Sequence, residues 1–190
     1  NQVGGQDELV FDGGSFAVNA DGELAVVAPD FEEGCFELWV ERTVRGVAIA
    51  QGVAAAALSD VAAVWQALVL GVRDYVEKNG FPGVVLGLSG GIDSAVTLAV
   101  AVDALGADRV QAVMMPFKYT ADMSVEDAGE QASVMGVEYD VISIEPIYEA
   151  FMSGLTDQFD GLSVDTTEEN LQARCRGVLL MSISNKKDRL

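Results

Sequence analysis

From residue 8 to residue 39 apolar and polar positions alternate over short stretches, and each stretch ends at a turn signal. Residues 9–11, 15–18 and 24–28 are predicted as antiparallel strands separated by Gly13-Gly14 and by Asn19-Ala20-Asp21-Gly22. Asp21-Gly22 suits a hairpin, because glycine takes positive φ without a Cβ penalty. Residues 36–40 supply one more short strand. From Thr43 to Ser59 alanine and glycine punctuate the chain and no period emerges, so this stretch is read as a linker or crossover.

Beyond Ser59 the periodicity changes. Val61, Val64, Trp65, Leu68, Val72 and Tyr75 recur at three and four, which predicts an amphipathic helix capped by Ser59 or Asp60 and ending at Asn79-Gly80. The short apolar run 84–88 is of strand type and passes through Ser89-Gly90-Gly91 into a helix over 94–105, which Gly106 stops. A buried strand at 110–115, a helix at 125–135 and a third strand at 139–144 follow. Strand and helix in alternation imply an α/β fold with a parallel sheet and flanking helices. Residues 147–159 have a helical pattern. Another helix opens near residue 166, with Thr166 or Thr167 as N-cap and acids in its first turn, and runs to about residue 184.

Composition limits the partners. Eleven Lys and Arg stand against 30 Asp and Glu, and a net charge of −19 opposes any extended contact with a nucleic-acid backbone. A small anionic nucleotide is still compatible, since local N–H groups, a cation and one or two arginines reverse the potential around it. There is no histidine, and the two cysteines, Cys35 and Cys175, have no CxxC spacing, so a structural zinc site is excluded. Each cysteine is read as a small buried or half-buried side chain in a reducing, cytoplasmic setting. The most apolar stretch, 46–58, is shorter than the roughly 20 residues of a membrane span, and the N-terminus has no signal-peptide pattern, so no membrane partner is expected. Asn1 is not an initiator methionine, and the chain reads as the middle of a longer one.

The chemistry concentrates at Ser89-Gly90-Gly91-Ile92-Asp93-Ser94. A strand that ends in Ser-Gly-Gly and feeds a helix gathers main-chain N–H groups around one concavity, which is an anion site. Gly90 and Gly91 let the backbone approach a pyrophosphate, and Ser89 and Ser94 carry hydroxyl donors. Asp93 is the loop's one carboxylate. Beside polyphosphate it is repulsive unless a cation intervenes, which argues for Mg²⁺.

The run Leu86-Gly87-Leu88-Ser89-Gly90-Gly91-Ile92-Asp93-Ser94-Ala95 resembles the SGGxDS loop of the ATP pyrophosphatases, which split ATP into AMP and pyrophosphate. It is neither a Walker A loop nor GxGxxG. The resemblance implies the adenine-nucleotide alpha-hydrolase type of α/β fold, with Gly87, Leu88, Ser89, Gly90, Gly91, Ile92, Asp93 and Ser94 binding ATP and Asp93 holding Mg²⁺. Residues 168–181, Glu-Glu-Asn-Leu-Gln-Ala-Arg-Cys-Arg-Gly-Val-Leu-Leu-Met, look like the helix of NAD synthetases that meets deamido-NAD. By that resemblance Asn170, Arg174 and Arg176 are its substrate-binding residues. On a helix Asn170 and Arg174 share a face, whereas Arg176 projects roughly 160° from Arg174.

Residues 3–15 resemble the late part of the nitrilase-like glutaminase domain that precedes the synthetase in glutamine-dependent members. Three segments are therefore expected: the end of a glutaminase domain at 1–45, a linker at 46–58, and an NAD synthetase domain at 59–190. The glutaminase Glu, Lys and Cys would lie upstream, and Cys35 occupies no nucleophile motif. The family pattern would continue past Asn185-Lys186 into a further strand and an ATP-binding loop, and it differs at Ala121-Asp122-Met123. The resemblance implies amidation of deamido-NAD to NAD with ATP, nitrogen coming from glutamine or ammonia, in a homo-oligomer. GMP synthetase, a tRNA-modifying thiolase and a nucleotide-binding fragment without turnover are the alternatives.

Overall fold

The computed structural model describes residues 1–44 and 46–190, and Arg45, the last residue of the expected first segment, lies outside them. Contacts divide the chain into two units, residues 1–75 and 76–190.

The first unit holds three antiparallel hairpins. β1 (Val3–Gln6) pairs with β2 (Leu9–Asp12), β3 (Phe16–Val18) with β4 (Leu24–Val27), and β5 (Leu38–Thr43) with β6 (Gly46–Gly52). The Asp21-Gly22 turn forms as expected: Gly22 has φ +88° and the Asp21 carboxylate accepts from Glu23 N–H at 3.1 Å. β1 and β6 lie outside the predicted strands, and β6 falls within the stretch read as a linker. Its alanines and glycines carry no alternating pattern, and it takes strand form by pairing with β5 and by bonds such as Asn19 Oδ1 accepting from Ile49 N–H at 2.9 Å. Gly5 in β1 packs against α1 (Asp60–Lys78). A Cβ there would sit 3.2 Å from Gly71 Cα, and its N–H reaches Asp74 Oδ2 at 2.7 Å. The cap of α1 is as expected, with Ser59 Oγ accepting from Ala62 N–H. Cys35 is exposed rather than buried, a departure from the expectation.

The second unit is an α/β layer structure around a three-stranded parallel sheet of order β7-β8-β9, with β7 (Val84–Gly87), β8 (Val110–Met114) and β9 (Glu138–Val141). Every residue of the central strand β8 is buried, which is why its sequence is a nearly unbroken apolar run. The helices are α2 (Ile92–Leu105), α3 (Asp122–Met135), α4 (Glu145–Gly154), the short α5 (Thr156–Phe159) and α6 (Thr166–Lys187). Leu98 on α2, Ala128 and Ala132 on α3, and Cys175 on α6 are fully buried in the layers around the sheet. The outer edge of β7 is engaged by Leu190, which donates to Gly83 O at 3.0 Å and accepts from Val85 N–H at 2.8 Å.

The N-cap of α6 is Asp165, not Thr166 or Thr167. Its carboxylate accepts from Thr167 N–H at 2.7 Å while Glu168 accepts from Asp165 N–H at 2.9 Å. Two donors that the helix leaves open are thus met reciprocally, which a threonine one position later cannot do without shortening the helix. Among the described residues no helix is long and apolar enough to cross a membrane.

Candidate functional site

β7 ends at Gly87, and the loop Leu88–Gly91 carries the chain directly into α2. In a parallel sheet this carboxyl end is where the strands release their loops and where ligands bind. Gly90 has φ +76°, and a Cβ on it would stand 2.8 Å from Ser124 Cα and run into the Ser124 carbonyl. Glycine is therefore required twice, by dihedral angle and by the close approach of α3. Gly91, extended at φ −90° and ψ 157°, is the N-cap of α2 and offers no side chain to it. The first intrahelical bond runs from Ala95 N–H to Gly91 O at 3.1 Å, so the N–H groups of Ile92, Asp93 and Ser94 precede the ladder and find no acceptor in it. They form the positive end of the helix dipole.

The two serines of the loop engage each other. Ser94 Oγ accepts from Ser89 N–H at 3.1 Å, lies 2.9 Å from Ser89 Oγ and donates to Gly91 O at 2.9 Å, while Gly91 N–H donates to Ser89 Oγ at 3.2 Å. The loop is preorganised by its own hydroxyls. Asp93 is exposed, and among the described residues its carboxylate makes no hydrogen bond or ion pair. It is not a capping residue in this structure. Among the described residues no three His, Cys, Asp or Glu side chains gather as a metal site, so Asp93 is a single carboxylate beside the loop.

A cavity of about 580 Å³ opens beside the loop. Gly87, Leu88 and Ser89 form one wall, Met114, Met115 and Thr120 another, and Ala173, Arg176, Gly177 and Leu180 of α6 a third. Gly87 keeps the floor low, since a Cβ there would meet Met115 Cε at 3.1 Å and Leu180 Cδ1 at 3.5 Å. Thr120 Oγ1 accepts from Phe117 N–H at 2.9 Å and fixes the turn after β8.

An adjoining face of α6 bounds a second, more open hollow of about 670 Å³, which includes Asn170, Arg174, Val178, Met181 and Asn185 and shares Ala173 and Gly177 with the first. Asn170 and Arg174 thus share a face, as their spacing predicts, and Arg176 is turned to the other cavity. Between the two faces Cys175 is buried in the core with Val113, Met115 and Ile144. Burial pushes its thiol above the ordinary range, with the Arg176 charge pulling less strongly the other way. It is a packing residue, not a nucleophile. Of the α6 wall of the loop cavity the sequence singles out only Arg176, and for the dinucleotide, although Ala173, Gly177 and Leu180 recur with it at three and four and mark that face.

A sequence profile described as NAD synthase matches residues 64–190. The chain is 54% identical over 186 residues to the glutamine-dependent NAD(+) synthetase of Acinetobacter baylyi, covering 98% of this chain and 34% of that protein. To the enzyme of the same name from Thermotoga maritima it is 39% identical over 216 residues, covering 98% and 38%. Among solved structures, glutamine-dependent NAD+ synthetase from Acinetobacter baumannii in complex with ADP superposes with a TM-score of 0.95 at 54% identity, over 100% of this chain and 36% of that one. The NH3-dependent NAD synthetase from Campylobacter jejuni superposes with a TM-score of 0.62 at 30% identity, over 70% and 56%. The chain therefore spans about a third of the length of its curated relatives. With two thirds of its residues under the family profile, and its fold that of solved NAD synthetases, this chain belongs to the NAD synthase family.

Proposed function

We propose that the protein to which this chain belongs converts deamido-NAD to NAD with ATP, taking nitrogen from glutamine or ammonia. The observation that carries this reading is the arrangement around α6: one face closes a cavity onto the phosphate loop, and an adjoining face presents Asn170 and Arg174, with Ala173 and Gly177 common to both. Two nucleotides thus have neighbouring places along one helix. ADP is the ligand of the similar Acinetobacter baumannii structure, which supports the loop cavity as the ATP site.

In this reading a carboxylate oxygen of deamido-NAD attacks the α-phosphorus of ATP. The bond from that phosphorus to the bridging oxygen breaks, and pyrophosphate leaves with the electron pair. Ammonia then attacks the acyl carbon of the adenylate, the acyl carbon–oxygen bond breaks, AMP departs, and the nitrogen loses a proton to give the amide. The chain's task in the first step is electrostatic. The N–H groups of Ile92, Asp93 and Ser94 face growing charge on the leaving pyrophosphate, already aligned before it develops, while the loop hydroxyls, bonded to one another and to Gly91, hold the backbone that carries them. Asn170 and Arg174 hold the dinucleotide in reach, and no Cys or His nucleophile is called for.

Asp93 would hold Mg²⁺, as a lone uncommitted carboxylate suits an ion whose other ligands are phosphate oxygens and water. When bound, the ion neutralises phosphate charge. A homo-oligomer belongs to the same proposal: Val178 and Met181, both more than half exposed, lie beside Asn170 and Arg174, where a second copy would cover them. So does a cytoplasmic setting, since both cysteines are free.

The test is to supply ATP, Mg²⁺, ammonium and deamido-NAD and to measure AMP, pyrophosphate and NAD together. Equal yields from the full-length protein support the reading, and ATP cleavage indifferent to deamido-NAD would sink it. Because the chain spans only about a third of its relatives, a second reading holds for the chain by itself: it binds nucleotide without turning it over. Binding of ADP with no release of pyrophosphate from ATP would distinguish that reading.

A further inference from the structure

Arg176 is set apart from Arg174 by more than its place on the helical wheel. Its Nε donates to the carbonyl of Met115, just past the end of β8, at 3.1 Å, and its side chain walls the cavity that contains Ser89 and Gly87. The guanidinium carries five N–H donors in a rigid plane, and this bond uses one of them. Among the described residues the other four have no hydrogen bond and no carboxylate partner, although the chain holds 30 acidic residues against 11 basic ones. The residue is partly exposed and lines the cavity beside an anion-binding loop, where it has no protein counter-charge. A guanidinium with uncommitted donors in that position is matched by an anionic ligand, above all one that offers paired oxygens.

We propose that Arg176 serves the nucleoside triphosphate and not the dinucleotide. It rests on the reading of the loop cavity as the ATP site and assigns Arg176 to the phosphate chain there. The Met115 bond fixes the plane of the guanidinium, so that its remaining donors meet phosphate oxygens without first being ordered. Arg176 is then a nucleotide-binding residue that also positions α6 over the loop, and deamido-NAD is left to Asn170 and Arg174. The assignment differs from the one that the family resemblance implies for Arg176.

The test is calorimetric titration of the full-length protein with adenosine, AMP and ADP, using Arg176→Gln, Arg176→Lys and Arg174→Gln, with thermal melting as the check on folding. Loss of a charge-assisted hydrogen bond should weaken ADP binding to Arg176→Gln by roughly 10- to 100-fold. The loss should be smaller for AMP and least for adenosine. Arg176→Lys, which keeps the charge, should recover part of it, and Arg174→Gln should bind ADP within about twofold of wild type. A purely structural role predicts equal losses for all three ligands, and that outcome would overturn the proposal, as would undiminished ADP affinity in Arg176→Gln. If Arg176→Gln fails to fold, the comparison of adenosine with ADP is made on Arg176→Lys. If wild type itself binds no ADP, the nucleotide reading of the cavity falls and this proposal falls with it. ADP binding by wild type with no dependence on Arg176 would remove the proposal alone.

Discussion

Lys187, the last residue of α6, donates from Nζ to the buried Oε1 of Gln111 on β8 at 3.0 Å. Gln111 is only 2% exposed, and both ends of its amide are engaged: Nε2 donates to Asp140 Oδ2 at 2.6 Å, and Oε1 also accepts from Arg189 at 3.3 Å. The same two cations pair with Glu138 on β9, at 2.7 and 2.9 Å. Gln111 lies near the start of β8, whereas Met115, the partner of Arg176, follows its end. Eleven residues of helix rise roughly 16 Å and four of strand roughly 13 Å. α6 is therefore pinned to the sheet at both ends of one strand, and the upper pin stands beside the phosphate loop.

Gln111→Leu keeps much of the side-chain volume and removes both halves of the amide. Asp140 then loses its donor at a partly buried position, and the two cations lose their interior acceptor. We expect a loss of about 1–3 kcal/mol in urea denaturation, the usual cost of leaving such groups unmet. ADP affinity should change little, because the loop lies at the other end of the strand. Stability equal to wild type would mean that solvent replaces the amide without cost.

The Glu138 cluster gives stability a pH dependence of known sign. The hydrogen bond from Lys187 holds the Glu138 carboxyl below its ordinary 4.5; partial burial opposes that shift, and Arg189 adds to it. A carboxyl whose pKa is depressed in the folded state contributes stability that is complete above the unfolded value and is lost as pH falls through the folded one. Wild type should therefore be more stable than Glu138→Gln at neutral pH, and the gap should close between about pH 4.5 and the acid limit. Parallel melting curves of the two proteins check this. A gap that persists in acid would show that the pair acts through packing and not through charge.

Gly90 is the glycine on which the loop depends. Alanine there would take a left-handed backbone conformation, costing about 1–2 kcal/mol, and would also displace α3 at Ser124. Gly136 provides the control: its φ is +70°, yet a Cβ would meet nothing within 4 Å. Both variants should melt lower than wild type, Gly90→Ala further, and only Gly90→Ala should lose ADP binding. Equal behaviour of the two would refute the close approach as the reason for glycine.

The parts legible from sequence are those where local chemistry and tertiary role agree. Strands β7 and β8 are short apolar runs because they are buried, and Gly106 marks the end of α2 because φ +84° stops a helix there. β6 was not legible, since residues 46–52 carry no alternation and are strand only through β5. β1 was obscured by Gly4 and Gly5, the second of which exists for the approach of α1. The cap of α6 is Asp165 and not the expected Thr166 or Thr167, and Asp165 and Glu168 stand three apart, the spacing of a capping box. Periodicity placed Arg176 opposite Arg174. Only the packing of α6 on β8 showed which cavity each one meets.

The remaining prediction concerns Asp93 and the cation. An aspartate in the first turn of a helix has two ordinary roles, as a cap and as a charge at the positive end of the dipole. The first is excluded by geometry, since the carboxylate bonds no N–H group among the described residues. The second stabilises the helix by only about 0.3–1 kcal/mol, so Asp93→Asn should fold normally. If Asp93 is a magnesium ligand, the amide keeps the shape and one acceptor but removes the charge that a hard cation requires. Adenylation in the full-length protein should then fall at least about tenfold at low magnesium and recover partly as magnesium rises, moving the titration midpoint upward. If Asp93 acts only through the dipole, the rate changes little and the midpoint stays in place. Pyrophosphate release followed across a magnesium titration separates these outcomes. An unchanged midpoint would leave Ser89, Gly90, Gly91 and Ser94 as a phosphate site whose cation is held by the nucleotide alone.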